Sequence, residues 1–222
     1  MFDQLIISDK ASYDDFGASV ASRTISPPAK KSIKETVPFS NMTYDFSAIN
    51  GELYWEEREL EYIFEIDAYG PQELETKKTA FAGWIMNVMS AELHDPYISD
   101  YHFVATFDGM DFEDDETMLK TTANVVFRAY PYKIANNPTT DKQSIPAGDR
   151  KTLSIENGSN HRITPTITTD GPVEIVFGNV TYTASAGTFK KIALAVGLNT
   201  LEIKNTGTTE CTVTISFFEE VF

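Results

Sequence analysis

The sequence holds one cysteine, three histidines and only 18 basic residues among its 222, and each scarcity excludes something. Cys211 has no intrachain partner, so no disulfide staples the chain. It alternates with Val213, Ile215 and Phe217 as in a strand, which predicts a buried, inert thiol. The histidines are spaced for neither a metal pair nor a catalytic triad. His102 alternates with Tyr101 and Phe103, His94 precedes an Asp95-Pro96 turn, and His161 lies in the loop Asn-Gly-Ser-Asn-His-Arg at 157–162. A net charge of −15 and a pI near 4.5 argue against a protein that lives on phosphate backbones. The 12 glycines are dispersed, with no strand, Gly-rich turn and helix in the order a phosphate loop needs. No apolar run approaches the length of a membrane-spanning helix, and acids stand where a signal peptide would be basic. The expectation is a soluble chain made in the cytoplasm, with no cofactor and no metal.

What is abundant is acid and apolar bulk. Hydrophobic residues make up 41% of the chain, enough to build a core. Residues 1–135 carry 24 acidic against 11 basic side chains, and the remainder only 9 against 7. Asp108, Asp111, Glu113, Asp114, Asp115 and Glu116 form an acidic run that offers oxygen ligands to a hard cation, but without the ordered spacing of a calcium loop; a solvated hairpin connection is the simpler reading. Glu56, Glu57, Glu59 and Glu61 supply carboxylates, yet glycoside hydrolysis needs them across a cleft, which no sequence guarantees. Tyr54 and Trp55 suit sugar stacking, and suit a core or an interface better. Asn41-Met42-Thr43, Asn157-Gly158-Ser159 and Asn179-Val180-Thr181 match the glycosylation pattern and read as turns.

Periodicity organises the rest. Leu60, Tyr62, Phe64, Ile66 and Ala68 alternate with Glu61, Glu65 and Asp67, predicting a strand with one wet face. Over 77–90, Phe81, Trp84, Ile85, Val88 and Met89 recur three and four apart, predicting a helix, the one good helix of the chain. Tyr101 to Phe107 alternate toward an Asp108-Gly109 turn, and Ala123 to Ala129 alternate again. The Pro- and Gly-broken stretch around 136–150 reads as a linker between domains at 1–135 and 151–222. Beyond it TLSIE, RITPTITT, PVEIVF, VTYTAS, KKIALAV, NTLEIKN and CTVTISFF follow at close spacing, which predicts an antiparallel sandwich. Residues 21–43, with Pro27, Pro28 and four basic side chains, show no period and read as an extended arm.

The order of these segments carries a resemblance. Tyr44, Asp45, Phe46, Ser47, Gly51, Tyr54 and Arg58 lead into the strand from Leu60; the Gly83-Trp84-Ile85 cluster follows; and NVVFRAYPYKI closes the first domain. This pattern resembles the siphophage distal tail protein (Dit) family. ENGSNHRITPTITTDGPVEIVFGNVTYTA and LAVGLNTLEIKN resemble the galectin-like sandwich appended to its members. The resemblance implies a mainly β chain: a tail-tube-like β-sandwich of α+β type with one packed helix, then a galectin-like antiparallel β-sandwich. It implies a virion structural protein of a long-tailed phage or prophage, located at the tail tip, with no catalytic residue. As a tail hub it would form a homo-hexamer, a ring linking the tail tube to the tail-tip or receptor-binding apparatus. Partners would be the tail tube protein, a tail-associated lysin or tail fibre protein, and a receptor-binding protein, with no nucleic acid contact required and no membrane. Sugar binding does not carry over, since only Asn160, His161 and Arg162 hint at a carbohydrate-contacting set. A carbohydrate-binding or adhesion module for host cell-wall glycans stands as the alternative.

Overall fold

The computed structural model describes residues 3–39, 41–48 and 51–222. The chain divides into two compact units, one running to Lys133 and taking in Phe222, the other covering Ile134–Val221.

The first unit contains strands β1 (Ile6–Ile7) and β2 (Lys10–Ala11), a one-turn helix α1 (Ser12–Phe16), and β3 (Ala18–Ile25). Gly17 ends α1 in the left-handed region at φ 70°, a conformation that suits glycine. An outlying hairpin of β4 (Lys34–Thr36) and β5 (Thr43–Asp45) precedes the long strand β6 (Arg58–Asp67) and helix α2 (Pro71–Ile85). Strands β7 (Ala91–His94), β8 (Tyr101–Asp114) and β9 (Lys120–Ala129) complete it. The antiparallel order is β2-β1-β7-β8-β9-β6-β3. Alternation decides which way each strand faces. Leu60, Tyr62, Phe64 and Ile66 are fully buried, as are Ala123, Val125 and Phe127 opposite them, while the intervening residues reach solvent. Helix α2 covers the buried face with Leu74, Phe81 and Ile85; Phe81 meets Phe64 edge-on at 5.1 Å, and Trp84 stacks on Phe16 at 4.6 Å.

Two expectations shift here. The helix begins at Pro71 and ends at Ile85, not over 77–90. Proline supplies a preset φ at the first helical position, and the opening turns are polar, so the apolar stripe marks only the second half. Past Ile85 a turn brings Val88 into the core and leaves Met89 exposed. Nor is Asp108-Gly109 a turn. Strand β8 runs on through a register shift between Phe107 and Gly109, and the reversal falls at 115–119. There the Asp115 carboxylate accepts hydrogen bonds from the Thr117 hydroxyl at 2.6 Å and the Leu119 amide at 3.0 Å. An Asp side chain that caps its own turn fixes the hairpin more firmly than an Asp-Gly pair inside a ladder.

The short strand β10 (Lys133–Ala135) leads into the second unit, which comprises β11 (Thr139–Ile145), β12 (Arg150–Asn157), β13 (Thr166–Thr169), β14 (Val173–Phe177), β15 (Val180–Ala184), β16 (Gly187–Phe189), β17 (Gly197–Asn205), β18 (Cys211–Phe217) and β19 (Glu220–Val221). Two four-stranded antiparallel sheets, β11-β18-β13-β16 and β12-β17-β14-β15, enclose a core of Ile155, Ile167, Ile175, Leu201, Ile203, Val213 and Ile215 among others. The stretch read as a linker at 136–150 therefore holds a strand: β11 pairs along its whole length with β18, from Thr139↔Phe217 to Ile145↔Cys211. Its polar composition reflects an edge strand with one buried side chain, Ile145. KKIALAV is not a strand either. Ile192 and Leu194 are buried, but the segment makes only a bridge from Leu194 to Ile163. Cys211 lies in β18, 2% exposed, and burial raises its thiol pKa.

Candidate assembly surface

The residues at 21–43 are neither featureless nor one segment. Residues 21–25 finish β3, and the chain then forms one side of a two-stranded arm whose other side is 43–56. Ser40, Ile49 and Asn50 lie outside the described residues. At the base the Glu56 amide donates to the Ala29 carbonyl and the Lys31 amide to the Tyr54 carbonyl, both at 2.8 Å. Midway the Phe46 amide donates to the Ile33 carbonyl at 2.8 Å, and the Ile33 amide returns to the Ser47 hydroxyl at 2.9 Å. The tip is the β4–β5 ladder, with Lys34↔Asp45, Glu35↔Tyr44 and Thr36↔Thr43. Hydrogen bonds from the Ser47 hydroxyl and amide hold the Asp45 carboxyl below the usual range.

This arm exposes what a folded chain ordinarily covers. Ile33, Val37, Phe39, Met42, Tyr44, Phe46, Leu53 and Tyr54 are all exposed, and none joins the buried core cluster of the unit. Tyr44 and Phe46 stack on each other at 6.3 Å. Phe39 stands fully exposed on a backbone at φ 65°, which costs a side-chain-bearing residue about 1–2 kcal/mol. A free two-stranded ribbon is marginal in water, and a contiguous apolar patch marks a contact surface. The arm carries little net charge: over 29–56, Lys30, Lys31 and Lys34 stand against Glu35, Asp45, Glu52 and Glu56.

The wet face of the main sheet is acidic. Glu59, Glu61, Glu65 and Asp67 of β6 share it with Asp108, Asp111 and Glu113 of β8, against Lys120 and Arg128 of β9. Arg128 bridges Glu59 at 3.3 Å and Asp108 at 3.0 Å, and Lys120 meets Glu65 at 2.8 Å. The acidic run thereby disperses: Asp114 turns to Lys78 at 2.8 Å, which lowers its pKa, and Asp115 caps its turn. Among the described residues no cluster of carboxylates, histidines or cysteines is able to hold a metal ion.

The other sequence candidates separate. His94 and His102 face each other across β7 and β8, ring centroids 5.1 Å apart, a juxtaposition that register alone creates. His161 belongs to the second unit and meets Glu220 at 2.8 Å. Its loop is held by Asn157, which is 1% exposed and donates to the carbonyls of His161, Leu194 and Ala195 at 3.1–3.2 Å. Glu59 and Glu61 line a strand face, not a cleft, and Trp55 packs edge-on against Phe222 at 4.7 Å. Sequence reasoning missed the second side of the arm; Pro38 and Phe39 before Asn41, between two short Thr-containing segments, carry its turn signal.

No family model matches the sequence, and no curated protein matches it. Among solved structures the chain is similar to phage SPP1 Dit, described as a paradigm of the hub adsorption apparatus of phages that infect Gram-positive bacteria. The TM-score is 0.69 and the identity 12%, over 100% of both chains. A component of the phage P2 baseplate in its activated conformation matches at TM-score 0.43 and 10% identity, covering 96% of this chain and 98% of that one, too low to argue from. The chain has the fold of SPP1 Dit throughout its length, so the resemblance to distal tail proteins seen in the sequence extends to the architecture.

Proposed function

We propose that this protein is a non-catalytic structural subunit of a long-tailed phage or prophage tail, a distal tail protein that closes into a hexameric ring between the tail tube and the receptor-binding apparatus at the tail tip. The observation that carries the proposal is the arm at 29–56, an apolar ribbon that the chain's own core leaves uncovered, on a fold shared end to end with SPP1 Dit. Ring subunits contact each other head to tail, one surface meeting a different one. An exposed apolar arm and an acidic sheet face on the same subunit supply two such unlike surfaces. Tail tube, tail lysin or fibre, and receptor-binding proteins are the partners that follow. The test is the molar mass of purified protein by light scattering across a concentration range, with negative-stain imaging of the large species. A closed ring is expected; a monomer at every concentration, and no such ring in tail particles, would sink the reading.

A second reading has one observation behind it. The sandwich bears a cleft of about 470 Å3 between β11, β12 and β18, floored by Ile155, Ile215 and Phe217 and rimmed by Thr139, Ser154 and Glu156. Short hydroxyls and a carboxylate over an apolar floor suit a sugar ring. Absence of binding to host cell-wall glycans in calorimetry removes this reading without touching the first.

A further inference from the structure

One arrangement in the first unit is unexplained by its own folding. Arg58 opens β6, points to the buried side of the sheet and is 5% exposed. Its Nε donates to the Ser26 carbonyl at 2.9 Å, and its guanidinium lies 5.5 Å from the centre of the Phe103 ring. Its Nη1 is buried and has no hydrogen-bond partner among the described residues. Burial lowers the Arg58 pKa, and among the described residues no carboxylate offsets this. The second cation is Lys133, whose ammonium lies 5.9 Å from the centre of the Tyr101 ring. Burial first, and then the charge of Arg58, lower the Lys133 pKa.

A buried guanidinium without a carboxylate, with a like charge beside it, is among the costliest arrangements a fold can hold. It stands in a chain with 33 acidic residues, in which Arg23, Lys78, Lys120, Arg128 and Arg150 each have an acidic partner. Aromatic faces at Phe103 and Tyr101 soften the cost without removing it. We propose that Arg58 and Lys133 form a seat for an oxyanion, a carboxylate or phosphate group that arrives from outside the chain. Nη1 donates the open hydrogen bond, the two positive charges share the anion, and the aromatic rings exclude water around it. The group comes either from a free inorganic anion or from an acidic side chain of a second copy.

The experiment uses the full chain and three forms, wild type, Arg58→Met and Lys133→Met. Unfolding midpoints are followed as sodium phosphate or sulfate replaces sodium chloride at constant ionic strength, and molar mass is followed by light scattering. Lys133 is only partly buried, so its variant folds even if the Arg58 variant does not. With a free anion as ligand, the wild-type midpoint rises saturably, by about 3–6 °C at a tenfold excess over the dissociation constant, and the rise disappears in both variants. With a neighbour's carboxylate as ligand, phosphate has little effect on the assembled wild type, and both variants shift the mass curve toward the monomer. An equal phosphate response in all three forms, or no response together with unchanged association, overturns the proposal. A wild type that never associates sinks the ring and leaves the phosphate arm of this test intact.

Discussion

Phe39→Gly separates what the arm costs from what it does. In the folded chain Phe39 touches nothing that would hold its ring, yet its backbone sits at φ 65°. Glycine adopts that conformation without penalty, so the substitution relieves about 1–2 kcal/mol of local strain and leaves the core untouched. The unfolding midpoint of the isolated subunit should therefore stay where it is or rise slightly, because the ribbon joins no buried cluster. Association is the quantity that changes. Burying a phenyl ring at an interface contributes about 1.5–3 kcal/mol, so each contact in a ring weakens roughly 10- to 150-fold. Light scattering of wild type and variant over the same concentrations reads this directly. A mass curve that superimposes on that of wild type refutes the reasoning, as does a variant whose core unfolds earlier.

Four further outcomes follow. Asp95→Ala strips partners from the buried Tyr62 hydroxyl at 3.2 Å and from the partly buried Arg23 at 2.9 Å, which keeps Asp3; a loss of about 1.5–3 kcal/mol in denaturant unfolding of the first unit is expected. Arg23 Nε lies within ion-pair distance of Asp95 without the alignment of a hydrogen bond, so most of that loss is electrostatic. Asn157→Ala removes the donor shared by three carbonyls and lowers the stability of the second unit by about 2–3 kcal/mol, with the His161 loop exchanging amide hydrogens fastest. Gly171→Ala sets a Cβ 2.9 Å from the Cβ of Cys211 and costs about 1–3 kcal/mol, with faster thiol alkylation, whereas Gly158→Ala meets only the mobile carboxylate of Glu219 and costs less. Asp114 is held below the usual carboxylate range by Lys78, so its contribution is present above the unfolded pKa of about 4 and is lost as pH falls through the lower folded value. Midpoints followed from pH 5 downward should fall less steeply in Asp114→Asn.

How much of this was legible in the sequence depended on whether burial had a period. Strand β6 was readable because one of its faces is fully buried, which forces Leu60, Tyr62, Phe64 and Ile66 into alternation with Glu61 and Glu65. The sandwich strands β12, β14, β17 and β18 were readable for the same reason. The arm was not, because all six residues of its β4–β5 ladder are exposed and no face selects a pattern. Strand β11 was taken for a linker because an edge strand with a single buried side chain looks polar. Bulk apolarity misled in the other direction at 190–196, where Ile192 and Leu194 fill the core without a ladder. The pairings His94 with His102 and Arg58 with Lys133 exist only once register and crossover are fixed, and no spacing in the sequence announces either.

The two unlike surfaces of the first unit also bear on why such a chain stays apart before it assembles. With a net charge of −15, two copies repel at long range, and non-specific clustering through the apolar arm is opposed. At short range the ribbon that carries the exposed aromatics has little net charge, because Lys30, Lys31 and Lys34 are matched by Glu35, Asp45, Glu52 and Glu56. Sheet to sheet sets Glu59, Asp111 and Glu113 against their own copies, whereas approach of arm to sheet brings the apolar side chains into contact without that repulsion. An orientation rule of this kind disfavours a two-fold pair through the sheets and favours a head-to-tail contact, which gives a ring where its rotation closes and a filament where it does not.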